Sequence, residues 1–405
     1  ASGAEPAYGG PVAVASRRAQ AVQPFIVMDV LERAQEMERA GRPVWHLAAG
    51  EPNFPTPEPV LEAAARAMRD GHTHYTASLG IPPLRETIAR YYQDRYGVEV
   101  HPDQVVITAG TSQAMAMIAL ALLDDGDEAV VPDPGYACYG NFVAAADAVA
   151  VRADATAGYL RADAVRQALS PRTRMVILNS PANPTGALIP PAELAELASL
   201  ADRHGLWLVS DEIYHGLVYE GEERTALACS PRAIVVDGFS KRYAMTGWRL
   251  GWCVVPRELV RTLQKIQQNF LISPPSVSQW AALAALEHGE RYRQEMAAEY
   301  DRRRRFLLEA IPRAGLRLAV RPCGAFYAWV DVSDLGMDCY RLAFDLLERT
   351  GVALVPGVDF GPRGEGHVRI SYASSMEVLQ QAMPRLAEYV AARRAAALPV
   401  TGQAG

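Results

Sequence analysis

Hydrophobic residues form two kinds of pattern along the first 300 positions of the chain. One kind is a short, nearly continuous apolar run, which is typical of a strand buried on both faces. Such runs lie at residues 105–108, 129–131, 175–178, 206–210 and 233–236. The other kind has apolar residues at helical spacing and lies at residues 59–70, at 83–96 and between Gly110 and Leu123. Strands that alternate with helices predict an α/β fold in which helices cover both faces of a mostly parallel sheet.

The pattern changes after a long helical stretch at residues 291–310. Beyond it, strand-like runs lie at 326–330 and 367–371, and helical stretches lie at 339–350 and 376–393. We interpret this region as a smaller α+β domain, joined by the N-terminal part of the chain. The predicted division is an N-terminal arm at 1–24, a small domain at 25–58 and 301–398, a large domain at 59–300, and a tail at 399–405.

Composition agrees with a soluble, two-domain enzyme. The 405 residues exceed what a single core needs, and 50% hydrophobic with 21% charged residues excludes wholesale disorder. The formal net charge of −6 argues against a general affinity for nucleic acid or for an acidic lipid surface. No run of about 18 apolar residues occurs, so the sequence predicts no membrane span.

Cysteine usage and the N-terminus bear on the compartment. The five cysteines are an odd number without a CxxC pair, so we expect neither a disulfide framework nor a metal site. The first 20 residues contain no apolar core of a signal peptide. These observations predict a cytoplasmic location.

Candidate chemistry follows the predicted strands, because ligands of open α/β sheets bind beyond the carboxyl ends of the strands. After the strand at 105–108 come Gly110, Thr111 and Ser112. Small residues and hydroxyls at the start of a helix leave N–H groups free, which is typical of a phosphate cradle. A plain helix cap by Thr111 or Ser112 is the alternative.

Two further strands end in polar residues. The strand at 175–178 leads to the turn Asn183-Pro184-Thr185-Gly186, which would hold the Asn183 amide in one place, although turn formation alone also explains it. The strand at 206–210 leads to Asp211 and, three residues on, to Tyr214. A carboxylate at the end of a buried strand needs a cation, unless it simply caps a helix.

The loop after residues 233–236 contains Ser240, Lys241 and Arg249 between glycines. Partial burial would lower the pKa of the lysine amine and make it a nucleophile, and the guanidinium suits a phosphate dianion. Arg369 lies inside an apolar strand and needs a carboxylate partner, supplied either by a structural salt bridge or by a substrate. A surface lysine beside an unrelated arginine is the alternative for this loop.

Together these residues resemble the class I, fold-type I aminotransferases that depend on pyridoxal phosphate, close to the bacterial aspartate and aromatic branch. The resemblance runs from about residue 16 to residue 393. The segments that carry it are Ala-Gly-Glu-Pro-Asn-Phe at 49–54, Tyr75 with Gly-Ile-Pro at 80–82, Asn-Pro-Thr-Gly at 183–186, Ser-Asp-Glu-Ile-Tyr at 210–214 and the Lys241 loop. It implies the fold of these transferases and pyridoxal 5'-phosphate as cofactor.

The resemblance also implies roles for the catalytic residues. Lys241 would hold the cofactor aldehyde as a Schiff base and later move a proton at the substrate α-carbon. Asp211 would face the pyridine nitrogen and keep it protonated, so that the ring accepts negative charge. Tyr214 and Asn183 would bind the phenolic oxygen of the ring.

By the same resemblance, other residues would surround the cofactor and the substrate. The residues implied for the phosphate are Gly110, Thr111, Ser112, Ser240, Arg249 and, from a neighbouring subunit of a homodimer, Tyr75. Tyr136 would stack on the cofactor ring, and Ile213 would pack on its other face. Arg369 would pair with the substrate α-carboxylate, helped by Asn183 and the Gly50 amide. Many relatives carry serine where this chain has Gly238, which predicts a thinner phosphate shell.

The predicted reaction moves an amino group from an L-amino acid to a 2-oxo acid by a ping-pong mechanism. A β-lyase or carbon–sulfur lyase on the same fold is an alternative, and a non-catalytic binding or regulatory module is another. The run Gly-Phe-Ser-Lys-Arg at 238–242 is only partly similar to the G-x-S-x-G elbow of serine hydrolases, and no histidine partner is indicated.

The choice of amino donor depends on two positions. In similar bacterial aspartate aminotransferases, a lysine that is associated with the distal carboxylate aligns with Ser112. The segment aligned with Phe25-Ile26-Val27 is small and partly polar in those relatives, whereas here it is apolar. An apolar side chain would therefore find more contact area than an anionic one. The sequence predicts a neutral donor, aromatic or aliphatic, over aspartate.

Overall fold

The computed structural model describes residues 15–397. Its α-helices are α1 Arg17–Ala21, α2 Ile26–Arg39, α3 Glu58–Arg69, α4 Pro82–Tyr96, α5 Thr111–Leu122, α6 Cys138–Ala145, α7 Ala162–Ala168, α8 Pro191–His204, α9 Arg257–Phe270, α10 Ser276–His288, α11 Glu290–Arg313, α12 Cys339–Thr350 and α13 Met376–Ala397. Its strands are β1 Trp45–His46, β2 Val105–Thr108, β3 Glu128–Asp133, β4 Val149–Asp154, β5 Thr173–Asn179, β6 Trp207–Asp211, β7 Ile234–Gly238, β8 Gly251–Val254, β9 Arg317–Val320, β10 Tyr327–Asp331, β11 Val352–Ala353, β12 Val355–Pro356 and β13 His367–Ser371.

A seven-stranded sheet forms the centre of the larger region. Its strand order is β2-β8-β7-β6-β5-β3-β4, and six of these seven strands run in one direction while β8 runs in the opposite one. The predicted mostly parallel sheet is confirmed. The apolar runs did not indicate β4 or β8. β4 is an edge strand with exposed and polar positions, and β8 is short and begins with a glycine.

Each central strand is buried on both faces, as the continuous apolar runs predict. In β5, Val176 and Leu178 pack into the apolar cluster that contains α3, α4, α7, α8 and α10. Met175 and Ile177 pack into the opposite cluster, with α5, α6 and α9. Successive side chains of a strand point to opposite faces, so one run contributes to both helical layers.

A second region combines the two ends of the chain. The antiparallel sheet β12-β13-β10-β9 packs with α11, α12 and α13, while β1 pairs in parallel with β11. The helix α2 packs through Val27, Val30, Ala34 and Met37. The smaller α+β region has the predicted content, and the domain boundaries given above stay a prediction.

The predicted N-terminal arm and tail lie partly outside the described residues. Residues 1–14 and 398–405 fall there. The described end of the arm contains the short helix α1, which Ser16 caps by accepting a hydrogen bond from the Ala19 amide at 3.2 Å.

Candidate active site

A cavity of about 320 Å³ lies at the carboxyl ends of β5, β6 and β7, where the large sheet faces the second region. The predicted site residues that line it are Gly50, Thr111, Ser112, Tyr136, Asn183, Asp211, Ile213, Tyr214, Ser240, Lys241, Arg249 and Arg369. These residues come from loops far apart in the sequence. The parallel strands bring the loops to one edge of the sheet.

Lys241 lies three residues beyond the end of β7. Its Nζ donates a hydrogen bond to the Gly50 carbonyl oxygen at 2.6 Å. Burial lowers the pKa of the amine to about 8, and the positive charges of Arg369 and Arg249 act in the same direction, whereas Glu51 and Asp211 oppose it. A substantial fraction of the amine is therefore neutral near pH 8 and able to act as a nucleophile.

Asp211 ends β6 and is only 6% exposed. Its carboxylate accepts hydrogen bonds from Tyr139 Oη at 2.6 Å and from the Ile213 amide at 3.2 Å. No cationic side chain of residues 15–397 lies within 4.0 Å of it, and burial raises its pKa to about 6. Turn residues and not an α-helix come directly after Asp211, so it does not cap a helix. A buried carboxylate with neutral donors only fits a cationic ring nitrogen as its partner.

Two asparagines hold the turn after β5. The backbone N–H of Asn183 donates to Asn179 Oδ1 at 2.7 Å, and the side-chain Nδ2 of Asn179 donates to the Asp211 backbone carbonyl oxygen at 3.0 Å. Nearby, the hydroxyls of Tyr214 and Tyr327 lie 2.8 Å apart, and burial holds the pKa of Tyr214 well above its usual range. These bonds fix the polar side chains of Asn179, Tyr214 and Tyr327 around the Asp211 end of the cavity.

The start of α5 and Arg249 form the opposite end. Gly110 has φ +84°, and a Cβ there would lie 2.8 Å from Arg249 Nη2, so a glycine is needed for the guanidinium to approach the helix start. Arg249 Nη1 donates to the Thr246 carbonyl oxygen at 2.9 Å, and no carboxylate of the described chain lies within 4.0 Å of this arginine. An unpaired guanidinium beside the N–H groups of a helix start fits a phosphate dianion.

Gly238, where the resemblance leads us to expect a serine, leaves little room for a side chain. A Cβ at this position would lie 3.2 Å from Gly251 Cα, from Ile213 Cδ1 and from the Leu250 carbonyl oxygen. A serine here requires the β7–β8 contact to open by a few tenths of an ångström.

Arg369 lies in β13 and is 4% exposed. Its Nη1 donates to Asn183 Oδ1 at 2.9 Å and its Nη2 to the Ala48 carbonyl oxygen at 2.7 Å, while Nε has no hydrogen-bond partner in the described structure. The guanidinium also lies 4.3 Å from the ring centroid of Tyr327. No carboxylate within residues 15–397 pairs with it at 4.0 Å or less, so the structural salt bridge that the sequence left open is absent.

Two predicted residues stand apart from the cavity lining. Gly110 lies directly behind it, against Arg249. Tyr75 is 78% exposed and does not line the cavity of its own chain. Its predicted reach into a neighbouring subunit stays a prediction.

Several lining residues escaped the sequence analysis, among them Tyr139, Asn179 and Tyr327. Asn179 is the first residue after the apolar run at 175–178, just as Asp211 is the first after the run at 206–210. Its position after a predicted strand therefore indicates it as a candidate site residue. Tyr139 lies three residues after Tyr136, at helical spacing. Tyr327 lies within the predicted strand 326–330, but only the pairing of that strand with β13 turns its hydroxyl toward Tyr214.

A half-buried, partly neutral lysine, a buried carboxylate without a cation and an unpaired donor set for phosphate occupy one cavity on this α/β fold. They define the class of protein as an enzyme that uses pyridoxal phosphate. The "Aminotransferase class I and II" family model matches residues 42–386, about 85% of the chain. The chain belongs to this family and is a pyridoxal-phosphate-dependent aminotransferase.

Individual proteins agree with this family. The aspartate/prephenate aminotransferase of Thermus thermophilus is 43% identical over 92% of this chain and 97% of its own length. The valine–pyruvate aminotransferase of Mycobacterium tuberculosis is 41% identical over 91% of this chain and 97% of its own length. A crystal structure of an aminotransferase from M. tuberculosis superimposes with a TM-score of 0.91 at 41% identity, covering 94% of this chain and all of that one.

These findings confirm the predicted family, fold class, cofactor and aminotransferase activity. They do not settle the amino donor, since similar relatives carry the names of different substrates. Among the described helices, none combines the length and apolar character needed to cross a bilayer.

Proposed function

We propose that this aminotransferase takes its amino group from a neutral L-amino acid, aromatic or aliphatic, and passes it to a 2-oxo acid in two half-reactions. One observation carries the proposal. The cavity wall beside α2 consists of the apolar side chains Phe25, Val27, Met28 and Leu31. Apolar walls gain about 25 cal/mol for each Å² of apolar substrate surface that they remove from water.

The cations of the cavity support the same choice. Those among the described lining residues are Lys241, Arg249 and Arg369. Lys241 and Arg249 suit the cofactor, and Arg369 suits the α-carboxylate common to all donors. The lining then contains no further cation for a distal carboxylate, and Ser112 occupies a position where a lysine would offer one.

When bound, pyridoxal phosphate supplies an electron sink for the charge that develops at the substrate α-carbon. We propose that Lys241 holds its aldehyde carbon, Asp211 its ring nitrogen, and Asn183 and Tyr214 its phenolic oxygen. The groups proposed for its phosphate are the amides of Gly110, Thr111 and Ser112, together with Ser240 and Arg249. Tyr136 and Ile213 would enclose its ring.

Other steps of the reaction depend on residues of the chain, which move a proton and bind the substrate carboxylate. Lys241, whose amine has a pKa of about 8, would be freed when the donor amine displaces it from the cofactor. It would then take the proton from the α-carbon of the donor in the first half-reaction, and in the second it would deliver a proton to the α-carbon of the product amino acid. Arg369 lines the cavity and binds the α-carboxylate. Its Nη1 and Nη2 are held by Asn183 and Ala48, so little side-chain entropy is lost when the substrate binds. The Gly50 backbone lies beside Lys241 and adds a second contact for the carboxylate.

A homodimer completes the proposed site. Tyr75 is exposed on the single chain, as expected of a side chain that reaches the phosphate of a neighbouring subunit. The cytoplasmic location stays a prediction from the cysteine content.

The donor is tested by comparing kcat/KM for phenylalanine, leucine, alanine and aspartate with one common 2-oxo acid. We expect phenylalanine or leucine to exceed aspartate by at least about tenfold, which corresponds to 1.4 kcal/mol of differential binding. Higher efficiency with aspartate contradicts the proposed donor class. Release of pyruvate and ammonia from a donor with a β-leaving group would instead indicate the lyase alternative.

A further inference from the structure

The first turns of α2 form one wall of the cavity. Phe25, Val27, Met28 and Leu31 line it, and we call residues 25–31 the wall segment. Phe25 also meets the ring of Tyr136 edge to face, with centroids 6.2 Å apart. A small displacement of this segment therefore changes the space available to the donor side chain.

The helix α2 provides no cap for its own N-terminus. Phe25 occupies the N-cap position and has no side-chain acceptor. The first N–H groups of an α-helix lack partners within the helix, so a start of this kind depends on an acceptor from elsewhere.

Asp359 supplies that acceptor from a distant part of the chain. Its Oδ1 accepts a hydrogen bond from the Ile26 amide at 2.7 Å, and its Oδ2 accepts one from the Val27 amide at 3.4 Å. Asp359 is buried and lies in the turn Gly357–Phe360, between β12 and β13. A carboxylate at this place also interacts favourably with the helix dipole.

A second tie reaches the segment from the other side. The Gln23 amide donates to Asn141 Oδ1 at 2.9 Å, and Asn141 Nδ2 donates back to the Gln23 carbonyl oxygen at 3.1 Å. This tie is exposed and precedes the wall segment, whereas the Asp359 contacts are buried and lie within it. The apolar packing of Val27, Val30, Ala34 and Met37 holds the body of α2, and of the two polar ties only the buried one to Asp359 acts on the start of the wall segment itself.

We propose that Asp359 is a positioning residue for donor specificity. Asp359 and Arg369 lie only ten positions apart, in the turn before β13 and in β13 itself. Because Asp359 holds the start of α2, it fixes the distance between the apolar wall segment and the Arg369 guanidinium. This inference rests on the proposed function in one respect, namely that Arg369 binds the α-carboxylate. A donor anchored there reaches the wall only if its side chain is large, so loss of the cap affects phenylalanine more than alanine.

A simple charge effect of Asp359 on Arg369 is separable from this role. Every donor presents the same α-carboxylate, so a changed field at Arg369 alters kcat/KM by the same factor for phenylalanine and for alanine. The ratio of the two values cancels that factor and reports on the wall.

The test uses purified holoenzyme and the variants Asp359→Ala and Asp359→Asn, with phenylalanine and alanine as donors. Loss of a helix cap costs about 1 kcal/mol, so we expect the phenylalanine-to-alanine ratio to fall about fivefold in D359A. Asparagine keeps an acceptor oxygen without the charge, so D359N should recover most of the ratio. The matched control is Asp338→Ala, since Asp338 caps α12 through the Arg341 amide at 2.9 Å and does not line the cavity.

Amide hydrogen exchange provides a readout that does not depend on turnover. In D359A or D359N, peptides that cover residues 25–31 should exchange faster, most in D359A, while the first turn of α12 is unchanged. D338A should show the reverse. An unchanged donor ratio, equal losses for both donors, or no local change in exchange would overturn the proposal. Failure of the proposed donor class appears separately, as a preference of the unmodified enzyme for aspartate.

Discussion

At the scale of single residues, the lowered pKa of the Lys241 amine has a direct chemical consequence. Only the neutral amine reacts with an acylating reagent, so the reactivity of Lys241 in the cofactor-free protein should rise with pH and reach half its maximum near pH 8. The sequence contains two lysines, and Lys265 lies exposed on α9 as an internal reference. Acetylation at a series of pH values, followed by peptide mass spectrometry, measures both.

Burial is the cause that this titration tests. If Lys241 reacts with the midpoint of an ordinary lysine, about 10.4, the amine is fully hydrated and the proposed proton transfer lacks its basis. Bound cofactor should protect Lys241 and leave Lys265 reactive, which is a further check within the same samples.

Arg369 offers a second prediction at this scale. Lysine at this position keeps the charge but loses the planar set of donors, one of which would bind the substrate carboxylate. We expect Arg369→Lys to lower kcat/KM by roughly 30-fold to 160-fold, as a lost charged hydrogen bond of about 2–3 kcal/mol implies. Steady-state kinetics with the preferred donor measure it.

The matched control is Arg304→Lys. Arg304 is 3% exposed, lies in α11 and pairs with Asp301 at 2.7 Å and Glu220 at 2.8 Å, outside the cavity. This substitution should change kcat/KM by less than about twofold. Equal losses in both variants would mean that Arg369 acts on the fold rather than on the substrate.

At the scale of elements, a buried ion pair joins the end of β7 to the residue that follows Lys241. Asp237 accepts hydrogen bonds from the Gly238 amide at 2.6 Å and from Arg242 Nη2. The Arg242 guanidinium also lies over the rings of Tyr91 and Trp252, 5.3 and 5.6 Å from their centroids. Both charged side chains are about 1% exposed.

Removal of one partner leaves the other charge buried without compensation. We expect Arg242→Met to lower the free energy of unfolding by about 3–5 kcal/mol, and the double variant Asp237→Asn with Arg242→Met to recover part of that loss. Urea unfolding followed by circular dichroism measures both. A double variant no more stable than R242M would show that the loss came from the aromatic contacts of Arg242 rather than from the unpaired carboxylate.

Element boundaries show which local signals the sequence contains. The helix α4 begins at Pro82 and ends where Gly97 adopts φ +66°, within one residue of the predicted 83–96. The helix α2 has buried positions at 27, 30, 34 and 37, which is helical spacing, although the predicted helices do not include it. Its cap, however, comes from Asp359, 333 positions away, and no local signal indicates that contact.

At the scale of the whole molecule, the proposed homodimer makes each site depend on two chains. If Tyr75 reaches the site of a neighbouring subunit, Lys241→Ala and Tyr75→Ala affect different chains of the same site. A mixed dimer of the two variants then contains one intact site, because its Lys241 and its Tyr75 come from different subunits.

Refolding or coexpression of the two variants in equal amounts should therefore restore about one quarter of the unmodified activity per subunit, since half of the dimers are mixed and each has one intact site of two. Each variant alone supplies the baseline. An activity no greater than the mean of the two separate variants would show that Tyr75 serves its own chain or no site at all.

The sequence alone determined that five central strands alternate with helices, that both faces of their sheet are buried, and which polar residues follow several of these strands. These features depend on local periodicity and on residue type, which are written in short segments. The tertiary structure decided the rest. It left Arg369 without a protein carboxylate, gave Asp211 only neutral donors, and placed Asp359 at the start of α2. Such contacts join residues that are far apart in the chain, so they follow from the packing of whole elements and not from any local pattern.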